Sequence, residues 1–351
     1  MNASIATLAE TGEAQDQETR HQRLPSPVAL REALPLETGL QARIRQQRQA
    51  VRAVLNGEDD RLLVITGPCS LHDPESALEY GQRLAGLAEQ VSDSLLLVMR
   101  AYVEKPRTTV GWKGLLYDPH LDGRHDLATG LRLSRELLRD LARLGLPLAT
   151  ELLNPLAASY LSDLLAWAAI GARTTESQIH REMVSGLPLP VGFKNGTDGS
   201  VTVARDAIGA AAHGHTHLGL DDHGHPALVQ TPGNADTHLV LRGGHQGPNY
   251  QEEQVLAARD ALESAGLNPR LVVDCSHANS GKDPARQPLV LEEVLRQRRQ
   301  GDSTVVGVML ESHLNGGNQP LSGSLRYGVS VTDACLGWAD TEAQLLQLAR
   351  G

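Results

Sequence analysis

The chain has 351 residues, of which 40% are hydrophobic and 21% charged, and its formal net charge is −10. That balance gives no general electrostatic support for nucleic acid or an anionic membrane surface as a partner. No apolar run approaches the roughly 20 residues that span a bilayer, and the first residues lack the basic and apolar segments of a secretion signal. The cysteines, Cys69, Cys275 and Cys335, form neither a Cys-x-x-Cys pair nor an even disulfide framework, which fits a reducing cytoplasm.

Taken in order, residues 1–24 are polar and weakly periodic and read as a mobile arm. Residues 25–58 carry Pro25, Pro27 and Pro35 and then a helical stretch, Thr38 to Asn56. A regular alternation follows. Arg61 to Cys69 reads as a strand, and Asp73-Pro74 as an N-cap with proline at the first helical position. Ser94 to Tyr102 is a second strand, with Thr129 to Leu144 as its helix. Pro147 to Leu152 is a third, and Asn154-Pro155 opens a helix running to Trp167. Ala169 to Arg173 is a fourth strand, with a helix to Gly186, and Pro190 to Asn195 a fifth, with a helix through Ala212.

Residues 213–235 break the rhythm and read as a β-hairpin insertion that holds His213, His215, His217, His223 and His225. No repeated ligand spacing marks those histidines as a metal site, so a solvated hairpin is the expectation. The alternation resumes with Thr237 to Arg242, then a helix from Gln251 to Ala265. Arg270 to His277 precedes a helix from Leu289 to Gln300. Thr304 to Glu311 is the eighth strand, and Asp333 to Arg350 reads as the last helix. Eight βα units predict a (β/α)8 TIM barrel over residues 59–351, with an N-terminal extension (1–58) and the hairpin before strand 6. The rival, a doubly wound sheet, lacks a glycine-rich nucleotide fingerprint after the first strand.

A barrel places its chemistry at the C-terminal ends of its strands. Those ends are Cys69, Arg100, Glu151, Arg173, Lys194, Arg242, His277 and Glu311, all polar or ionisable. Arg100, Arg173, Lys194 and Arg242, with Lys105 and Arg107, make six cations aimed at one mouth. Such a set repels itself until an anion arrives, and charge-assisted bonds to phosphate or carboxylate contribute on the order of 1.5–3 kcal/mol each. Highly anionic substrates follow. Cys69, His277, Glu311 and Asp333 form a mixed sulfur, nitrogen and oxygen set suited to one divalent ion: Mn²⁺, Fe²⁺, Co²⁺, Zn²⁺ or Cu²⁺.

The motifs sharpen this. Gly67-Pro-Cys-Ser-Leu-His-Asp-Pro74, Lys105-Pro-Arg-Thr-Thr109 and Gly171-Ala-Arg-Thr-Thr-Glu-Ser177 stand on the first, second and fourth units. Pro190 to Gly199, Leu241-Arg-Gly-Gly244, Asp274-Cys-Ser-His-Ala-Asn-Ser280 and Glu311-Ser-His313 complete the series. Together they resemble class I 3-deoxy-D-arabino-heptulosonate 7-phosphate (DAHP) synthase of the microbial, amino-acid-regulated type, over about residues 25 to 350. The resemblance implies condensation of phosphoenolpyruvate with D-erythrose 4-phosphate at the entry to the shikimate pathway. It implies Cys69, His277, Glu311 and Asp333 as metal ligands. Arg173 and Arg242 would hold the phosphoenolpyruvate phosphate, and Arg100 and Lys194 its carboxylate, with Glu151 nearby. Arg107 and Thr108 would hold the sugar phosphate. Lys105 would lie between the substrates, and Pro106, Thr109 and Ala172 complete the substrate-binding set. Lys105, Glu151 and His277 are the candidates for moving protons, without individual roles. A homodimer or homotetramer built partly by the N-terminal arm is implied by the same resemblance.

Two departures concern regulation. Pro188 stands where the family usually has serine, in a connection where feedback inhibitors bind. Leu218-Gly-Leu-Asp-Asp-His-Gly224 replaces the usual Ser-Val-Thr-Lys pattern of the hairpin. A divergent paralogue with altered feedback is the expectation. The alternatives are a related enzyme condensing phosphoenolpyruvate with another phosphorylated aldose, and a catalytically silent regulatory barrel.

Overall fold

A computed structural model describes residue 19 and residues 21–350. The expected arm at residues 1–24 lies mostly outside the described residues. Eight parallel strands close into a barrel: β1 (Leu62–Gly67), β2 (Leu95–Arg100), β3 (Leu148–Glu151), β4 (Trp167–Ile170), β5 (Val191–Lys194), β8 (Thr237–Leu241), β9 (Leu271–Asp274) and β10 (Val305–Glu311). β6 (Thr216–Leu220) and β7 (Pro226–Gln230) form the separate antiparallel hairpin, with Leu218 opposite Leu228. Strand β8 is therefore the sixth barrel strand, and the hairpin precedes it as the sequence predicts.

Alternate residues of each strand face opposite ways, which splits the core in two. Leu63, Ile65, Val98, Ala149, Trp167, Ala169, Val240 and Val272 fill the barrel interior. Leu62, Val64, Leu95, Leu97 and Met99 face the surrounding helices. Helix α2 (Thr38–Asn56) presents Val51, Val54 and Leu55 to the interior cluster. It closes the end where the strands begin, so the open end is the one where they finish.

The helices start where the sequence says they should. Asp73 accepts from the backbone N–H groups of Glu75 and Ser76 and precedes Pro74 of α3 (Pro74–Gln90). Asn154 caps α5 (Pro155–Leu161) from the same position before a proline. The remaining helices are α1 (Pro27–Ala33), α4 (Leu127–Arg143), α6 (Gln178–Ser185), α7 (Thr202–Ala211), α8 (Glu252–Glu263), α9 (Gln287–Arg299) and α10 (Trp338–Ala349).

Two expectations need correction, and one helix is added. Helix α5 ends at Leu161, and Trp167 opens β4 and packs inside the barrel. The last helix begins at Trp338, so Asp333 sits in a loop, not in a first helical turn. The Pro25–Pro35 stretch contains a helix, α1, capped by Ser26 with Pro27 at its start. That helix is tied to the hairpin: Val28 N–H donates to Asp222 O at 3.0 Å, and Arg31 pairs with the Asp222 carboxylate at 2.6 Å.

Candidate active site

The open end of the barrel holds a cavity of about 280 Å³. Of the residues expected there, Lys105, Pro106, Arg107, Thr108, Thr109, Glu151, Ala172, Arg173, Lys194, Arg242, His277 and Asp333 line it. Strands supply Glu151 and Lys194 as their last residues, while Arg242 and His277 follow β8 and β9 by one and three positions. Arg173 lies in the turn after β4. The lining also includes Gly171, Thr197, Lys282 and Thr332, which sequence reasoning missed. Six lining cations face two lining carboxylates, Glu151 and Asp333, so the cavity is built for anions.

Two close approaches shape it. A Cβ at Gly171 would lie 2.2 Å from Glu151 Oε1, so only glycine leaves that carboxylate its place. At the end of β1, Gly67 has φ +154°, and a Cβ there would lie 2.5 Å from the Arg100 carbonyl oxygen.

Arg100 differs from the expectation of six cations at the mouth. It is 1% exposed and lies beneath the cavity, not among the residues lining it. Its guanidinium stacks 3.6 Å over the Tyr102 ring, donates to the carbonyl oxygens of Pro68 and Cys69, and pairs with Glu311 at 2.9 Å. Its Nη1 is buried with no hydrogen-bond partner. Burial opposes that charge, but Tyr102, Glu311, Cys69 and Asp274 hold it above the ordinary arginine value.

The loop after β2 is a braced stem with a free tip. Lys105 N–H donates to Lys113 O at 2.9 Å, and Leu116 N–H to Val103 O at 3.1 Å. Trp112 is buried and donates from Nε1 to Asp118 O at 2.9 Å, which anchors the return limb. Glu104, another residue missed, accepts from the Asn154 N–H at 3.3 Å and from the Tyr117 hydroxyl at 3.3 Å. Burial pushes its carboxyl up to about 7. At the tip, Arg173 Nε donates to Thr108 Oγ1 at 3.1 Å.

Below the cavity, ligand atoms of Cys69, Glu311 and Asp333 lie within 4.8 Å of one another. His277 is close by but outside that trio. Its Nδ1 is occupied by Asp274 and Ser276, and its backbone is left-handed at φ +57°. The donor set suits a divalent ion on two observations. Glu311 Oε1 is buried and has no aligned hydrogen bond, although Arg100 Nη2 is near. Burial and Glu311 also push the Cys69 thiol up, so thiolate there needs a positive partner beyond Lys105 and Arg100. Asp333 behaves oppositely: burial raises its carboxyl, but Lys105, His277, Lys282 and Arg100 outweigh it and lower the net value.

The hairpin histidines form no such site among the described residues. His213 and His215 each meet a backbone carbonyl of α7, and His225 pairs with Asp221 at 3.4 Å.

Comparison with known proteins agrees with this geometry. The sequence model of the DAHP synthetase I family matches residues 39–346. The Tyr-sensitive phospho-2-dehydro-3-deoxyheptonate aldolase of Escherichia coli (strain K12) is 53% identical over 334 residues, which is 94% of this chain and 93% of the relative. The tyrosine-inhibited enzyme of the same name from Schizosaccharomyces pombe is 49% identical over 330 residues, 92% of this chain and 89% of the relative. The solved phospho-2-dehydro-3-deoxyheptonate aldolase from Francisella tularensis SCHU S4 aligns with a TM-score of 0.93 and 42% identity, covering 95% of this chain and 98% of that one. An eight-stranded barrel with a polycationic mouth and a Cys/Glu/Asp floor, matched over nearly its whole length, places this chain in the DAHP synthetase I family.

Proposed function

We infer that this protein condenses phosphoenolpyruvate with D-erythrose 4-phosphate and water, giving DAHP and inorganic phosphate, the first step of the shikimate route to aromatic amino acids. The observation that carries the reading is the cavity where Lys105, Arg107, Arg173, Lys194, Arg242 and Lys282 converge above Cys69, Glu311 and Asp333. Two phosphates and a carboxylate need that many cations, and holding two mutually repelling anions in near-attack geometry is most of what such a reaction requires.

Arg173 and Arg242 take the phosphoenolpyruvate phosphate. Lys194 takes its carboxylate, with Arg100 beneath; the unpaired Arg100 Nη1 is a buried donor that a carboxylate would satisfy. Arg107 and Thr108 take the sugar phosphate, with Pro106 and Thr109 shaping the loop and Ala172 beside Arg173. A bond forms between carbon 3 of phosphoenolpyruvate and the aldehyde carbon, water adds at carbon 2, and phosphate leaves. Of the three candidates for moving protons between the substrates and water, Lys105 and Glu151 line the cavity, while His277, which lines it too, serves as a ligand of the metal ion. Cys69, His277, Glu311 and Asp333 would hold one divalent ion drawn from Mn²⁺, Fe²⁺, Co²⁺, Zn²⁺ and Cu²⁺. When bound, the ion supplies Lewis acidity toward the aldehyde oxygen.

Phosphate release from phosphoenolpyruvate, assayed with erythrose 4-phosphate and separately with arabinose 5-phosphate, tests the reading. Turnover with arabinose 5-phosphate alone would favour the related aldose-condensing enzyme, and turnover with neither the silent barrel. Chelator followed by each metal in turn identifies the ion.

Weak, altered or absent feedback by aromatic amino acids belongs to the same proposal. Pro188 sits in the α6–β5 connection, and the Ser185 hydroxyl meets the Thr231 hydroxyl at 2.6 Å, joining that connection to the end of the hairpin. Steady-state inhibition by sub-millimolar phenylalanine, tyrosine or tryptophan would contradict it. Residues 1–58 are assigned to contacts in a cytoplasmic homodimer or homotetramer, and the hairpin, tied to α1 through Asp222, is added to that surface. The cross-strand pair Leu218 and Leu228, 84% and 71% exposed, supports this, and sedimentation velocity tests it.

A further inference from the structure

The metal side and the substrate side of this cavity meet at a single buried oxygen. Asp274, the last residue of β9, is wholly buried. Its Oδ2 accepts from Lys194 Nζ at 2.8 Å and lies 2.9 Å from His277 Nδ1. Its Oδ1 accepts from the Ser276 N–H at 3.0 Å and the Ser276 hydroxyl at 2.7 Å. Asn279 Nδ2 donates to the Asp274 carbonyl at 2.8 Å, which fixes the backbone.

These contacts decide where His277 carries its proton. The Ser276 hydroxyl has one proton, and it goes to Asp274 Oδ1. At 2.7 Å from His277 Nδ1, the same oxygen can then only accept. Asp274 Oδ2 can also only accept. Both neighbours therefore require N–H at Nδ1, which leaves the lone pair on Nε2, the nitrogen free to bind a metal ion. The same carboxylate is the hydrogen-bonded counter-ion of Lys194, which is itself only 3% exposed.

We propose that Asp274 is a positioning residue that couples the metal ligand His277 to the substrate cation Lys194. It presents Nε2 to the ion and holds Lys194 aimed at the phosphoenolpyruvate carboxylate. The inference rests on the roles given above to His277 and Lys194. Asn at this position keeps the shape but sets an amide N–H₂ or an uncharged oxygen against two donors. Both clients are then disturbed at once.

The test uses the full-length protein stripped of metal by chelator. Co²⁺ is titrated by its absorption spectrum, which reads binding without turnover, and the KM for each substrate is measured separately. Asp274→Asn is expected to weaken Co²⁺ binding by roughly 10- to 100-fold and to raise the KM for phosphoenolpyruvate by roughly tenfold or more. The KM for erythrose 4-phosphate should change little. Ser276→Ala removes the bridge to His277 and the hydroxyl bond to Asp274 Oδ1 but leaves Asp274 Oδ2 on Lys194, so Co²⁺ binding should weaken while the phosphoenolpyruvate KM changes little. His277→Ala and Lys194→Ala are the controls; if either leaves its own readout unmoved, the underlying assignment fails, not the coupling. With both controls responding, an Asp274→Asn protein that moves only one readout, or neither, overturns the proposal. If that variant does not fold, ¹⁵N NMR of metal-free wild type decides. A proton on His277 Nδ1, together with weakened Co²⁺ binding in Ser276→Ala, supports the proposal, and a proton on Nε2 or unchanged binding overturns it.

Discussion

Lys105 Nζ lies 3.2 Å from Cys69 Sγ and 3.1 Å from the Cys69 carbonyl oxygen. The lysine that opens the sugar-phosphate loop thus touches a candidate metal ligand directly. Cys69→Ser replaces the soft donor of the floor with a hydroxyl and leaves Lys105 its bond to the backbone carbonyl at position 69. Loss of metal-dependent activity is expected, with added metal failing to restore it, while folding stability falls by only about 1–2 kcal/mol. Metal content after dialysis and thermal unfolding separate the two effects. Full activity in a metal-free Cys69→Ser protein would remove the metal from the account.

The proposed roles divide the cations by substrate. Arg173→Ala and Arg242→Ala each delete charge-assisted bonds to one phosphate, so the KM for phosphoenolpyruvate should rise roughly 10- to 100-fold. Arg107→Ala should raise the KM for erythrose 4-phosphate by a similar factor and leave phosphoenolpyruvate nearly untouched. Steady-state kinetics with each substrate varied in turn checks this, and an Arg107→Ala protein impaired only toward phosphoenolpyruvate would reverse the assignment.

Gly171→Ala is a steric probe of Glu151. The added Cβ would sit 2.2 Å from Oε1, so the carboxylate must swing away. A shift of about 1 Å at a reacting centre costs on the order of 100-fold in rate. The expected result is a fall in kcat/KM of that order with little change in thermal stability. A near-wild-type Gly171→Ala enzyme would mean that the position of Glu151 is not critical.

Acid sensitivity should come from inside the barrel. His238 is buried, accepts from Trp167 Nε1 at 3.1 Å, and burial pushes its imidazole down to about 4. The folded state then binds fewer protons than the unfolded chain, whose imidazole titrates near its ordinary value. Stability therefore falls as pH drops from about 6.5 toward 4, by up to about 3 kcal/mol from this residue alone. His238→Gln keeps an acceptor for Trp167 and loses the titration. Denaturant unfolding between pH 7 and pH 4 should show a shallower loss in the variant, and an unchanged slope would rule His238 out.

The alternation of strand and capped helix was legible because it is local. Apolar runs are followed by Asp73-Pro74 or Asn154-Pro155, and each feature acts within one turn of chain. Trp167 reads as helix for the same reason: apolar residues run from Leu164 to Ile170, and periodicity alone cannot divide a short helix from the strand after it. Asp333 depends on a loop held by long-range pairs, such as Gly317 with Cys335, which no local pattern announces. Lys282 reaches the cavity through consecutive left-handed residues at Gly281 and Lys282, and a sequence shows only the glycine. Arg100 was correctly placed at a strand end, but its depth beneath the mouth comes from Tyr102 and Glu311 closing around it.

The braced stem and free tip of the loop after β2 divide the cavity into parts of unequal tolerance. Arg100 and Lys194 are strand residues inside the barrel, and any change in them is felt by the core. Arg107 to Val110 lie outside the Lys105–Lys113 clamp, with Val110 fully exposed. The tip can change length or composition without disturbing the barrel. In the proposed assignment the sugar-phosphate end is therefore the part most open to divergence by drift or by engineering, while Arg100 and Lys194 are held by the barrel and Arg173 alone is tied to the tip, through Thr108.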